Sequence, residues 1–163
     1  MGATDELLKN NLAYSATFTE GDLPKPPAKK VAIVACMDAR LDVFAMLGLR
    51  PGDAHVIRNA GGVITDDVMR SLAISQRLLG TEEILLIHHT GCGLLTITDD
   101  EFTRAIRQDV GIAPTWAVET FTDLDEDVRR SVARIEASPF VPRKSSVRGF
   151  VYDVGTGRLR EVV

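Results

Sequence analysis

Two short runs with no polar residue, Val31-Ala32-Ile33-Val34-Ala35 and Ile84-Leu85-Leu86-Ile87, do most to limit what this chain can fold into. Both read as buried strands. A strand that is apolar throughout belongs in a sheet covered on both faces, and such sheets are mainly parallel. Parallel neighbours need crossover connections, usually helical. The segments between the runs supply them.

A short helix is expected over Leu41–Gly48, stopped by Gly48 and Pro51-Gly52. His55–Arg58 reads as a second strand, leading into a tight Asn59-Ala60-Gly61-Gly62 segment. Thr65 is placed to cap a helix over Asp66–Leu79, with Asp66 and Asp67 in its first turn and Gly80 ending it. Val68, Leu72, Ile74, Leu78 and Leu79 are its expected sheet-facing residues. The capping box Thr98-Asp99-Asp100-Glu101 opens a helix to about Val110, and Thr122-Asp123 opens another to about Ala137. Ser146–Val154 reads as a last long strand, with Arg158–Val162 folding back on it as a hairpin. Residues 1–16 read as a weakly amphipathic helix capped by Thr4, and the proline-rich residues 20–30 as a linker. The expected class is therefore α/β: a central, mainly parallel sheet with an antiparallel edge strand, flanked by helices, carrying an N-terminal helical arm. The whole chain, 1–163, is expected to form one domain, with residues 1–30 as arm and linker.

Composition narrows the function. The net charge is −4, which argues against a nucleic-acid binder that works by neutralising phosphates. No apolar run approaches the roughly 20 residues of a membrane span. The N-terminus carries charges where a signal peptide needs an apolar core, so a cytoplasmic protein is expected. Two cysteines in a reducing compartment favour metal binding, redox chemistry or burial over a structural disulfide.

Both cysteines lie just past a strand, where open parallel sheets place their sites. Cys36-Met37-Asp38-Ala39-Arg40 sets a thiol, a carboxylate and a guanidinium at alternate positions, which in extended chain share one face. His89-Thr90-Gly91-Cys92 sets an imidazole and a thiol three apart on a glycine turn. Cys36, His89 and Cys92 together make a Cys2His set with one open position, which suits zinc. Asp38 and Arg40 read as a bidentate pair in which Arg40 keeps Asp38 ionised. His88 is expected to pack on the other side of its strand, His55 to have no metal role, and Trp116 to serve loop packing. Asp66 and Asp67 disfavour a phosphate site at the glycine turn. The glycines are read instead as backbone close to the metal site or to a dimer seam, and Arg58 as a group at that seam or just outside the ligands.

These two segments, with Val56–Gly61, Thr65–Leu79 and the tail Gly149–Leu159, resemble the β-class carbonic anhydrases, in particular their small prokaryotic branch. The resemblance runs from about Val31 to the C-terminus. It implies one zinc ion per chain on Cys36, His89 and Cys92, with Asp38 and Arg40 as the catalytic dyad. It implies reversible hydration of carbon dioxide to bicarbonate, with hydroxide generated at zinc as the nucleophile. It also implies a homo-oligomer, dimer or tetramer, whose N-terminal helix reaches over a partner. The fourth zinc position is taken either by water or, in a closed inactive state, by Asp38, and the sequence leaves both open. Hydrolysis of carbonyl sulfide or carbon disulfide on the same scaffold is the near alternative, and a non-catalytic zinc-binding oligomer the more distant one. Similar small enzymes often carry Asp just before the second cysteine. Here the residue is Gly91.

Overall fold

The computed structural model describes residues 2–163. A five-stranded sheet forms the centre, with strands β1 (Val31–Cys36), β2 (Ala54–Asn59), β3 (Glu83–His89), β4 (Val147–Tyr152) and β5 (Leu159–Glu161). Their order across the sheet is β2-β1-β3-β4-β5. The first four run parallel to their neighbours, and β5 pairs antiparallel with β4 at the edge. The chain leaves β1 towards β2 on one side and returns to β3 on the other. The carboxyl ends of β1 and β3 therefore lie side by side where the strand order reverses, which is where open α/β sheets bind ligands.

Period-two alternation sends each strand's side chains to two cores. Ala32 and Val34 of β1, with Ile84 and Leu86 of β3, pack against helices α3 (Asp66–Leu79) and α5 (Leu124–Ala137) through Val68, Leu72, Val132 and Ile135. Ile33, Ala35 and Ile87 pack the opposite face against helix α2 (Val43–Leu47) through Val43. Burying each such aliphatic side chain contributes about 1.5–3 kcal/mol. Both apolar runs are thus covered on two sides, as their composition requires.

The helix ends follow local chemistry. Thr65 accepts from Val68 N, and Gly80 takes the left-handed conformation that closes α3. Thr98 and Glu101 form a reciprocal capping box at the start of helix α4 (Asp99–Val110). Asp123 caps α5 by accepting from Glu126 N.

Three expectations change. The N-terminal helix α1 (Ala3–Ser15) is capped by Gly2 rather than Thr4, and the Gly2 N–H donates to Asp5 Oδ2 at 2.9 Å. Thr4 lies inside the first turn instead. On α3, Ile74 and Leu78 face outward, not towards the sheet, and Leu78 is 76% exposed. At about 100° per residue, Ile74 sits roughly 240° around from Val68, off the inner stripe. Ser75 and Gln76 take that stripe, and both are satisfied: Ser75 Oγ pairs with Thr81 Oγ1 and His55 Nδ1, and Gln76 exchanges two hydrogen bonds with the Arg143 backbone. Finally, β1 ends at Cys36, so residues 38–40 are not extended chain sharing its face. Leu41 N donates to Asp38 O at 3.0 Å, which closes a turn there.

Helix α1 buries none of its residues, and Leu7, Leu8 and Leu12 are 67%, 62% and 71% exposed. The linker after it carries no helix or strand. No helix among the described residues is long and apolar enough to cross a membrane.

Candidate metal centre

Cys36 is the last residue of β1, and His89 the last of β3. Cys92 follows His89 through a turn in which Gly91 adopts φ +64°, a left-handed conformation that glycine takes without a Cβ clash. All three residues are buried, and their ligand atoms lie within 4.8 Å of one another. Both cysteines are free thiols. Two glycines let the backbone come this close. A Cβ on Gly62 would lie 2.9 Å from Cys36 N, and Gly61 N–H donates to Cys36 Sγ at 3.3 Å. The expectation that the glycine segment lies near the site is met.

The electrostatics favour a thiolate at Cys36. Its pKa is lowered, first by the contact with Cys92 and then by the neighbouring His89 imidazole and backbone N–H groups, against the cost of burial. The same Cys36 contact pushes the Cys92 thiol up, and burial adds to it. Ionising one of two thiols this close makes ionising the other harder, and a cation between them would offset that repulsion.

His89 gives the test of fit. Its Nδ1 faces the Thr90 carbonyl at 3.0 Å, which makes Nδ1 the N–H and leaves a lone pair on Nε2. Nε2 is buried and has no hydrogen-bond partner. A buried acceptor without a partner costs about 1–3 kcal/mol. Facing two thiols, it matches the borderline-soft donor set that holds zinc.

The neighbouring His88 is the internal comparison. It is equally buried and its Nδ1 likewise has no partner, but it shares strand parity with Ile84 and Leu86 and points to α5, not to the thiols, and its Nε2 pairs with Asp127 Oδ2 at 2.8 Å. It lies on the other side of the strand, as expected. His55 is tied to Ser75 away from the cluster.

Asp38 and Arg40 meet across the turn. Arg40 donates from Nε to Asp38 Oδ1 at 2.9 Å and from Nη2 to Oδ2 at 2.7 Å, while its backbone N–H donates to Oδ1. This fork holds the Asp38 carboxyl well below the usual carboxylate range. Arg40 Nη2 also donates to Gly91 O at 3.0 Å, which ties the β1 turn to the turn holding Cys92. Asp38 Oδ2 stands 3.7 Å from His89 Nε2.

A cavity of about 620 Å³ opens onto Cys36, Asp38 and Cys92, and most of its wall is apolar, including Met37, Leu94, Ile97, Phe102, Trp116 and Val118. Trp116 was expected only to pack a loop; it is 58% exposed and forms part of this wall. The loop carrying it is pinned where Asp99, at the start of α4, accepts from Thr120 N and Oγ1. The wall was not read from the sequence. Its one signal was the apolar pair Leu94 and Ile97 just after Cys92.

A parallel α/β sheet with two thiols and an imidazole gathered at its switch point defines a thiolate–imidazole metal-site protein. Within that class, residues 31–159 match the family model described as carbonic anhydrase. The chain is 63% identical to beta-carbonic anhydrase 1 of Mycobacterium tuberculosis over 162 residues, which is 99% of each chain. It superposes on a carbonic anhydrase from Streptococcus mutans with a TM-score of 0.94 and 46% identity, covering 100% of this chain and 99% of the other. A carbon disulfide hydrolase of Acidithiobacillus thiooxidans is more distant, at 35% identity over 83% of this chain and 78% of its own. The chain belongs to the carbonic anhydrase family.

Proposed function

We propose that this protein is a zinc-dependent carbonic anhydrase that interconverts carbon dioxide and bicarbonate. One zinc ion per chain is held by Cys36, His89 and Cys92, and Asp38 and Arg40 form the catalytic dyad. The observation that carries the reading is the unpartnered Nε2 of buried His89, aimed at two free thiols beside an ionised, fork-held carboxylate. When bound, zinc supplies Lewis-acid chemistry that makes hydroxide available from water near neutral pH.

The chain's own residues do the rest. Asp38 accepts a hydrogen bond from the attacking water and so fixes the direction of its lone pair. Arg40 donates to both Asp38 oxygens, which fixes the orientation of the carboxylate beside the residues that would hold zinc. The apolar wall from Leu94 to Trp116 admits a small neutral molecule and offers few donors that would retain an anionic product.

That same wall favours a second reading as a side activity. Carbonyl sulfide and carbon disulfide are also small, linear and apolar, and the more distant relative is named for carbon disulfide hydrolysis.

The protein acts in the cytoplasm as a homo-oligomer, dimer or tetramer. The body from Val31 onward is one domain, and residues 1–30 are an arm that covers a second copy. The exposed Leu7, Leu8 and Leu12 of a helix with no buried residue support this. Neither nucleic acid nor membrane is a partner.

The decisive experiment is metal analysis paired with stopped-flow carbon dioxide hydration and sulfide release from carbonyl sulfide, all on one preparation. Near-stoichiometric zinc with rapid hydration is expected. Zinc with no rate above buffer would leave a non-catalytic zinc-binding oligomer.

A further inference from the structure

The ladder between β1 and β2 ends with the pair Cys36↔Asn59. Beyond it, Met37 N–H donates to Asn59 O at 2.7 Å, and regular pairing stops. The distance from the Cys36 thiol to the Asp38 carboxylate must still be fixed, because a shift of about 1 Å in a reacting group can cost about a hundredfold in rate. One side chain spans this gap. Arg58, in register with Ala35 on β2, donates from Nε to Cys36 O at 2.9 Å and from Nη2 to Asp38 O at 2.7 Å.

We infer that Arg58 is a positioning residue for this site: its guanidinium fork grips the carbonyls of Cys36 and Asp38 and so sets the spacing between the metal-binding thiolate and the catalytic carboxylate. Arg58 touches neither the ligand atoms nor the Asp38 carboxylate, so it acts only through the backbone. The planar fork suits the task because two of its N–H donors are rigidly spaced and match two carbonyls two residues apart. A lysine ammonium on a flexible stem reaches one carbonyl at a time. The Asp38 carbonyl has a second donor, Leu41 N, so the fork acts on a turn that already exists and sharpens it. Arg40 and Arg58 then divide the work: Arg40 fixes the Asp38 side chain, and Arg58 fixes the backbone that carries it.

The inference rests on the reading of Cys36 as a ligand and Asp38 as a dyad member, and its test separates the two. Arg58→Ala and Arg58→Lys are prepared as full-length chains, with Cys36→Ser as the control on the ligand set. Each is loaded with cobalt(II) as a spectroscopic stand-in, and zinc content and carbon dioxide hydration are measured alongside. Arg58→Ala is expected to keep the metal, shift the cobalt absorption bands and lower kcat about tenfold to a hundredfold with little change in KM. Arg58→Lys is expected to recover less than half of that loss, and it carries the test if the alanine variant fails to fold. In an Asp38→Asn background the further loss from Arg58→Ala should largely vanish, because the carboxylate being positioned is gone. A structural role alone would instead lower thermal stability with an additive effect in that background. Parent-like turnover and cobalt spectrum in both Arg58 variants, or additive losses, overturn the inference. Parent-like metal content together with undiminished thiolate-to-cobalt absorption in Cys36→Ser would overturn the ligand reading itself, whatever Arg58 does.

Discussion

The carboxyl end of the sheet and the N-terminal arm are opposites in how completely one chain satisfies them. At the sheet end, Asp38, Arg40, Arg58, Gly61 and Gly91 are tied into one set of hydrogen bonds, and the one buried ligand atom left open, His89 Nε2, faces two thiols. On the arm, a helix thirteen residues long buries nothing and leaves its leucines in water. The first region gathers a donor set that suits a metal ion. The second presents an apolar helix face that suits a protein surface. The contrast separates what metal loading should change from what assembly should change.

The largest effect expected from this contrast is at the ligands. His89→Ala should remove most bound zinc and with it activity, while the sheet persists; near-stoichiometric metal in that variant would defeat the assignment. The same substitution at His88 should act on stability instead, by leaving Oδ2 of buried Asp127 without its partner.

Asp38→Asn should keep zinc and the fold but lose about a hundredfold or more in kcat, the scale of a missing proton-handling group. Hydration at the parent rate would end the dyad role. Deleting residues 2–16 should leave the circular dichroism of the body intact, because no core residue is removed, and should lower the assembly state in analytical ultracentrifugation. An unchanged sedimentation profile would mean that the arm covers nothing.

The smallest effect lies outside both regions. Arg160 donates from both Nη atoms to Asp125 and holds its carboxyl below the ordinary range. A depressed folded-state pKa stabilises above the unfolded value of about 3.9, and that stability is lost as pH falls through the folded value. Arg160→Ala should therefore cost at most about 1 kcal/mol near neutral pH, because the pair is partly exposed. In urea titrations the difference from the parent should close in acid. A constant difference at all pH values would show that the pair's charge is irrelevant.

Much of this architecture is legible in the sequence because local rules agree with the fold. Glycine and threonine mark the ends of α3 and α4 almost to the residue, and the apolar runs dictate strands covered on both faces. The clustering of Cys36, His89 and Cys92 is legible because strand ends are, and the residue spacing does the rest. Less legible was anything decided by angle or by distant chain. Ile74 and Leu78 look like core residues until the helix period is laid around the real inner stripe. Asp38 and Arg40 converge through a turn, not through extended chain. The cavity wall draws on a loop from Trp116 to Val118 that no local pattern ties to Cys92. The fork of Arg58 depends on register, since only the pairing of Ala35 with Arg58 brings its guanidinium beside the right carbonyls.

Register also governs when the centre can exist. Cys36 and His89 lie far apart in the chain, with β2 and α3 between them, and they meet only once β1 and β3 have paired. Contacts between such distant segments are closed slowly in folding. Burial of the two thiols is therefore a clock for that pairing: during refolding, protection of Cys36 and Cys92 from an alkylating reagent should arise together, in step with the sheet. A chain cut between α3 and β3 would leave one thiol on the first piece and the remaining donors on the second, and only reassembled halves would then carry the full set.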